Sequence, residues 1–124
     1  MKVRAALFGI LMLITTTPPT GAGERISLKV SPAVAFAPAN LVMRTMIEAD
    51  PENRAVAVIA ESNDFYRSSE IQLEGDKAPR TTTFEFHSLP PGAYEVRARL
   101  FGVDGHERGF VRRSINILAG GTGR

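Results

Sequence analysis

Apolar and polar residues alternate along most of this chain in the two-residue period of half-buried β-strands. Residues 94–100 show the pattern most clearly, with Glu or Arg at every second position, and residues 26–30 and 41–48 repeat it. Strand side chains point alternately to two faces, so such runs predict strands that press one face against a core. Residues 54–61 form a near-continuous apolar run instead, which predicts a central strand buried on both faces.

Turn signals separate these runs. Asp50-Pro51 is a favoured turn pair, and Asp104-Gly105 stands between two strand-like runs, which predicts a β-hairpin. Residues 33–40 contain Pro38 and are better suited to an edge or a crossover than to a central strand. About seven strands with short turns and no helix predict an all-β fold. We expect a single seven-stranded antiparallel β-sandwich over residues 25–118 and a flexible tail at 119–124.

The amino-terminal residues have the order of a secretory signal peptide. Lys2 and Arg4 precede an apolar run at residues 5–14, and threonines, prolines and small residues follow up to Ala22. The run falls short of the roughly 20 residues that a transmembrane helix needs. Residues 1–22 are therefore predicted to be a cleaved signal peptide, with a buried hydrophobic helix as the alternative. We expect an exported protein, periplasmic or extracellular, with no stable membrane insertion after cleavage.

Charge and cysteine content narrow the class of partner. The chain has 15 Lys and Arg against 13 Asp and Glu, and two of the basic residues lie in the predicted signal peptide. The exported part is thus formally neutral, which argues against nucleic acid or an anionic membrane as a partner. There is no cysteine, so disulfides and thiolate metal sites are excluded. A small exported domain without disulfides is typical of a bacterial periplasm or surface.

A proline-rich corner leads into the clearest strand. The segment Leu89-Pro90-Pro91-Gly92-Ala93-Tyr94 resembles the tyrosine corner of immunoglobulin-like and fibronectin type III domains, and it is also similar to bacterial carboxypeptidase-regulatory-like and transthyretin-like modules. The resemblance implies that the Tyr94 hydroxyl bonds to backbone near Leu89 or Pro90. It also implies an Ig-like β-sandwich whose role is adhesion, spacing or partner binding rather than catalysis.

The residues that carry chemistry are few and scattered. His87 and His106 are the only histidines, and both are expected on the surface. Met43 and Met46 are three apart in a strand and face opposite ways, which disfavours a copper site. No Gly-x-Ser-x-Gly motif is present. Acidic residues in separate loops leave calcium binding as an open alternative. We therefore predict no catalytic residue, no metal site and no cofactor, and a protein that is not an enzyme.

One surface of the predicted hairpin concentrates arginine and aromatic residues. A two-residue turn at Asp104-Gly105 places Arg99 opposite Phe110 and Arg97 opposite Arg112. These residue types dominate protein interface hot spots. The alternative is a solvated sheet face with Arg99 stacked on Phe110. We name this surface the hairpin face, and its predicted partner-binding residues are Arg97, Arg99, Phe101, Arg108, Phe110 and Arg112.

Together these features predict an exported, non-catalytic Ig-like module at the cell envelope. Its expected role is binding of a protein or glycan, or structural support. The alternative is a periplasmic small-ligand or metal carrier on a β-sandwich, and a small enzyme or enzyme inhibitor is the further rival. A pocket of at least about 300 Å³ lined by aromatic residues would favour a ligand carrier.

Overall fold

The computed structural model describes residues 25–120, and this part of the chain is all-β. No helix in the described range is long and apolar enough to cross a membrane. The predicted signal peptide at residues 1–22 and most of the predicted tail lie outside the described residues. The described strands are β1 Ile26–Ser31, β2 Val34–Phe36, β3 Ala39–Ile47, β4 Asn53–Glu61, β5 Tyr66–Gln72, β6 Thr81–Leu89, β7 Gly92–Gly102 and β8 Glu107–Leu118.

These eight strands form two sheets, one ordered β1-β3-β6 and the other β2-β8-β7-β4-β5. The predicted all-β class is confirmed, but the predicted number of seven strands is wrong. The additional strand, β2, lies in the segment expected to be an edge or crossover. It begins two residues after Pro32 and pairs in parallel with β8, so the five-stranded sheet is not purely antiparallel.

The two sheets enclose one hydrophobic core built from alternate residues of their strands. Tyr94, Val96, Ala98 and Leu100 of β7 contribute to it as the alternation predicts. β4 is buried on both faces, also as predicted, with residues 55–60 all at most 8% exposed. On its outer side, Ala57 and Ile59 lie opposite Arg99 and Arg97, whose aliphatic stems account for the burial.

The predicted hydrogen bond at the proline corner is present. Tyr94 is 2% exposed and its hydroxyl donates to the Pro90 carbonyl oxygen at 2.8 Å. Its ring meets Phe65 edge-on, with centroids 6.3 Å apart. Burial raises the pKa of the Tyr94 phenol above its usual value, because the charged phenolate would lose its water. The corner thus ties the start of β7 to the turn before it.

Candidate functional site

The hairpin face lies on the outer surface of the five-stranded sheet. The β7–β8 register places Arg99 opposite Phe110 and Arg97 opposite Arg112, in agreement with the sequence prediction. The predicted partner-binding role of these residues stays a prediction. β4 and β5 continue the same surface, so the face is broader than the hairpin from which it was inferred.

The turn of this hairpin differs from the prediction. Gly102 N donates to the His106 carbonyl oxygen at 2.8 Å, so the turn spans three residues, Val103–Gly105, rather than two. A β-bulge follows between Leu100 and Phe101, and it pairs Phe101 with Glu107 instead of Arg108. The bulge leaves one residue of β8 without a partner on β7, and this residue turns away from the predicted row.

Arg108 therefore does not join the hairpin face. Its side chain is 8% exposed and donates to the Asn53 Oδ1 atom and, at 3.1 Å, to Asp50 Oδ2. Asn53 is fully buried and donates to the Glu48 carbonyl oxygen at 2.9 Å. A Cβ atom at Gly102 would lie 2.6 Å from Arg108 Cδ, so glycine at this position leaves room for the arginine. The predicted placement of Arg108 on the hairpin face is therefore wrong, and the bulge is the physical reason.

The buried contacts of Arg108 also stabilise the charged form of Asp50. The Glu52 backbone N–H donates to Asp50 Oδ1 at 2.7 Å. This hydrogen bond, with the Arg108 guanidinium as a further cause, lowers the pKa of the Asp50 carboxyl below its usual range. The network fastens the β3–β4 turn to the start of β8. The sequence carried no signal for it, because the contacting residues are more than fifty positions apart.

The arginines that remain on the face are paired with carboxylates. Arg97 donates to Glu95 at 2.8 Å and to Glu61 at 3.0 Å, and Arg112 donates to Glu95 at 3.1 Å. The Arg97 hydrogen bond is the main reason that the pKa of Glu95 is lowered, and the same contact raises the pKa of Arg97. The expected repulsion between Arg97 and Arg112 is thus offset by one shared carboxylate. The surface is charge-balanced rather than basic.

The aromatic rings of the face lie beneath guanidinium groups. Arg99 Cζ is 5.0 Å from the Phe101 ring centroid, and Arg112 Cζ is 6.0 Å from the Phe110 centroid. The sequence alternative had Arg99 stacked on Phe110, whereas in the structure Arg99 stacks on Phe101. Arg99 is held in place by Glu107, whose Oε1 accepts from Arg99 Nε at 2.8 Å. The positions of both rings are therefore set by ion-paired arginines.

A groove of about 490 Å³ opens at the end of this face, beside Phe101. Its lining combines the apolar residues Ala55, Phe101, Gly102 and Val103 with Gly105 and with four planar polar side chains, which we call its polar rim: Arg54, Glu70, Gln72 and Asp104. The volume lies in the range of about 300–1,000 Å³ that is usual for ligand pockets. We name this feature the Phe101 groove. It depends on the bulge and the three-residue turn, which the sequence did not reveal.

The polar rim of the Phe101 groove keeps hydrogen-bonding capacity. Gln72 donates to Glu70 Oε2 at 3.1 Å, which leaves the second carboxylate oxygen and the amide oxygen available. Arg54 donates to the Pro51 and Asn53 carbonyl oxygens at 2.6 and 2.9 Å. Within residues 25–120, no hydrogen bond or ion pair engages the Asp104 carboxylate. The rim can therefore both donate and accept hydrogen bonds.

The two histidines lie far from each other. His87 lies in β6, next to Phe86, and its Nε2 atom is 3.4 Å from Glu85 Oε1. His106 lies at the other end of the fold, where its Nδ1 is 2.6 Å from the Val103 carbonyl oxygen. In the part of the chain that the structure describes, no three His, Asp or Glu side chains gather in a group that could hold a metal ion.

Proteins of similar fold are found among solved structures. One is a superoxide reductase (neelaredoxin) from Ignicoccus hospitalis: the match covers 74% of this chain and 79% of the enzyme, with 12% identity and a TM-score of 0.60. For a variant of that enzyme the match covers 79% of this chain and 83% of the variant, with 13% identity and a TM-score of 0.62. Another is a family 76 glycoside hydrolase from a bovine Bacteroides thetaiotaomicron strain: the match covers 74% of this chain but only 20% of the hydrolase, with 12% identity and a TM-score of 0.53. No family model and no curated protein sequence matches the chain. At these identities the likeness shows the fold alone.

These neighbours correct several expectations from the sequence. The Ig-like and fibronectin type III resemblance is not supported, because the similar structures are superoxide reductases. The non-catalytic role that this resemblance implied, and the alternative of a small-ligand or metal carrier, are contradicted by these neighbours. So is the expectation that the protein is not an enzyme, since this fold occurs in enzymes. The physical reason is that a Pro-Pro-Gly corner and its tyrosine constrain a local turn, which more than one two-sheet fold can contain.

The name superoxide reductase implies a redox metal centre, and the residues of this chain do not fit one. Redox metal sites in proteins are built from histidine, cysteine, methionine and carboxylate ligands held together. This chain has no cysteine, and its two histidines lie at opposite ends of the fold. The shared fold therefore comes without a matching donor set in the described residues.

Proposed function

We propose that the Phe101 groove binds a saccharide. The proposal is supported by one observation above others: a groove of ligand size is lined by one aromatic ring and other apolar residues together with planar polar side chains. It rests on this geometry and not on the family resemblance drawn from the proline corner. We also propose, from residues 1–22, that the protein acts after export.

The two surfaces of the groove match the two sides of a sugar ring. A pyranose ring presents a C–H face that packs on an aromatic ring, while its hydroxyls lie around the edge. The Phe101 side chain supplies the apolar platform. The Arg99 guanidinium lies over one face of its ring, so the sugar would pack on the other face.

The rim favours hydroxyls over charged groups. It carries acidic Glu70 and Asp104, basic Arg54 and neutral Gln72, so two negative charges stand against one positive charge and an anionic ligand is disfavoured. Carboxylates and amides in such a rim can each accept from one hydroxyl while neighbouring groups donate to the next.

Phe101→Ala and Phe110→Ala form the decisive pair of variants. Both rings lie on the same face under an arginine, but only Phe101 lines the groove. We expect Phe101→Ala to weaken saccharide binding at least about tenfold, which corresponds to roughly 1.4 kcal/mol. Phe110→Ala should bind as the wild type does.

The measurement is a titration of the isotopically labelled domain with a panel of neutral tetrasaccharides that differ in sugar and linkage, followed by NMR. Shifts should cluster at residues 54–55, 70–72 and 101–105. Circular dichroism confirms that both variants are folded. Absence of saturable shifts with every sugar, or equal binding by both variants, contradicts the proposal. Saturable binding of a peptide at the same residues would replace the saccharide with a protein partner.

A further inference from the structure

Lys29 and Arg44 form a like-charged pair on the outer surface of the three-stranded sheet. They are directly opposite each other in the antiparallel register of β1 and β3, and both are exposed. Thr83 of β6 lies opposite Arg44 on its other side. Two cations thus stand side by side at the middle of this sheet, on the far side of the core from the Phe101 groove.

Neither cation has a counter-charge among the described residues. No hydrogen bond or ion pair engages the side chain of Lys29 or Arg44 in residues 25–120. The two acids that share the surface contact neither cation: Glu85 lies opposite Val42 and is 3.4 Å from His87, and Glu48 lies 3.9 Å from Arg25. On the five-stranded sheet, by contrast, Arg97, Arg99 and Arg112 all meet carboxylates.

Like charges that face each other across a strand pair destabilise a sheet. The pair also borders a shallow groove of about 260 Å³, which is lined by Lys29, Ser31, Val42 and Arg44. Ammonium and guanidinium groups can only donate hydrogen bonds, and a serine hydroxyl can donate one. The chemical partner of such a set is an oxygen-rich anion, which accepts from all of them and relieves the repulsion.

We infer that Lys29 and Arg44, with Ser31 beside them, form a binding site for an anionic oxygen group such as a phosphate, sulfate or carboxylate. The site is independent of the Phe101 groove, because it uses the opposite sheet and a different charge. A free inorganic anion and the same group carried on an organic ligand present equal chemistry to it.

The double variant Lys29→Gln/Arg44→Gln tests the site against a matched control. Lys77→Gln/Arg80→Gln removes the same charge from two basic residues of the β5–β6 connection, which do not face each other across strands. The probes are inorganic phosphate, inorganic sulfate, acetate and glucose 6-phosphate, at an ionic strength held constant with sodium chloride. The readouts are NMR shifts of the Arg44 Nε–H group and the thermal unfolding midpoint.

We expect saturable shifts at Arg44 and a rise in the midpoint for the wild type and for the control variant. The Lys29→Gln/Arg44→Gln variant should bind at least roughly tenfold more weakly, because it lacks both charge-assisted hydrogen bonds. Without a probe it should be at least as stable as the wild type, since the repulsion is gone. Tighter binding of glucose 6-phosphate than of phosphate would point to an organic ligand, and the reverse to a free anion. Equal midpoint shifts in all three proteins, or linear shifts that sodium chloride reproduces, overturn the inference.

Discussion

Tyr94 and Arg108 are polar residues that the fold buries, and each finds its partners on a neighbouring turn. The Tyr94 hydroxyl bonds to Pro90 four residues earlier, so its contact is local in sequence. Arg108 bonds to Asp50 and Asn53, which precede it in the chain by 58 and 55 residues. A buried polar group without such a partner would cost about 1–3 kcal/mol, so both contacts are required by burial itself.

The tyrosine contact can be measured with a one-atom change. Tyr94→Phe removes the hydroxyl and leaves the Pro90 carbonyl without its donor, so we expect a loss of about 0.5–1.5 kcal/mol in the free energy of unfolding. Tyr66→Phe is the matched control, because Tyr66 is 59% exposed and should change stability little. Urea unfolding of both variants provides the comparison. Equal midpoints for Tyr94→Phe and wild type would mean that the hydrogen bond contributes nothing.

The β7–β8 hairpin is the element that organises the outer surface of the five-stranded sheet. Its register brings Arg97 and Arg112 face to face, and Glu95 on the same strand as Arg97 reaches both. Glu107 does the same for one arginine only, Arg99. The hairpin therefore carries one carboxylate shared by two arginines and one that serves a single arginine. This difference makes the two positions a natural comparison.

Replacement of the shared carboxylate should cost more than replacement of the single one. Glu95→Gln removes two ion pairs and exposes the Arg97–Arg112 repulsion, whereas Glu107→Gln removes one pair. We expect a larger drop in the unfolding midpoint for Glu95→Gln at neutral pH and low salt. Thermal unfolding of the two variants measures it. A smaller drop for Glu95→Gln than for Glu107→Gln would contradict the shared role.

The contribution of Glu95 to stability should also depend on pH, which a comparison of wild type with Glu95→Gln can measure. The folded-state pKa of Glu95 is lowered, chiefly by the Arg97 hydrogen bond, so its stabilising effect is present above the unfolded-state pKa of about 4.3. That effect is lost as the pH falls through the lowered folded-state value. The stability difference between wild type and Glu95→Gln should thus shrink on acidification below about pH 4. A difference that stays constant over that range would show that Glu95 is not the titrating group.

At the scale of the whole molecule, the two sheets carry outer surfaces of different character. The five-stranded sheet pairs its arginines with carboxylates and ends in the Phe101 groove. The three-stranded sheet leaves Lys29 and Arg44 facing each other. The core separates the two surfaces, so substitutions of exposed residues on one sheet should change little at the other.

Export is the prediction that belongs to the entire chain. Lys2, Arg4 and the apolar run at residues 5–14 predict cleavage near Ala22, which leaves a protein that begins close to Gly23. Mass spectrometry of the protein from the periplasm and medium of its host provides the test. Lys2→Glu/Arg4→Glu should accumulate uncleaved precursor, whereas Lys29→Gln should not. Recovery of wild-type protein in the cytosol with an intact amino terminus would contradict export.

Features that arise from neighbouring residues could be predicted from the sequence. The alternation at residues 94–100 gave the buried face of β7, and the apolar run at 54–61 predicted a strand buried on both sides. The Arg97–Arg112 pairing followed from the position of the turn. Strand period and turn chemistry depend on local sterics and hydrogen bonds, which act over a few residues.

Features that depend on long-range contacts were decided only by the tertiary structure. A one-residue bulge sent Arg108 to Asp50 and shaped the Phe101 groove, and together with the three-residue turn it restored the register that the sequence predicted for the pairs beyond it. Sequence pattern could not locate the bulge, because the pairs on its far side are the same as those of a two-residue turn without a bulge. The choice of counter-charge for each arginine, and its absence for Lys29 and Arg44, likewise depends on which strands become neighbours. The sequence by itself determined most of the strands, though not β2, and one buried hydroxyl contact. Strand order, set by packing across the whole chain, decided the groove and the two surfaces on which function is proposed.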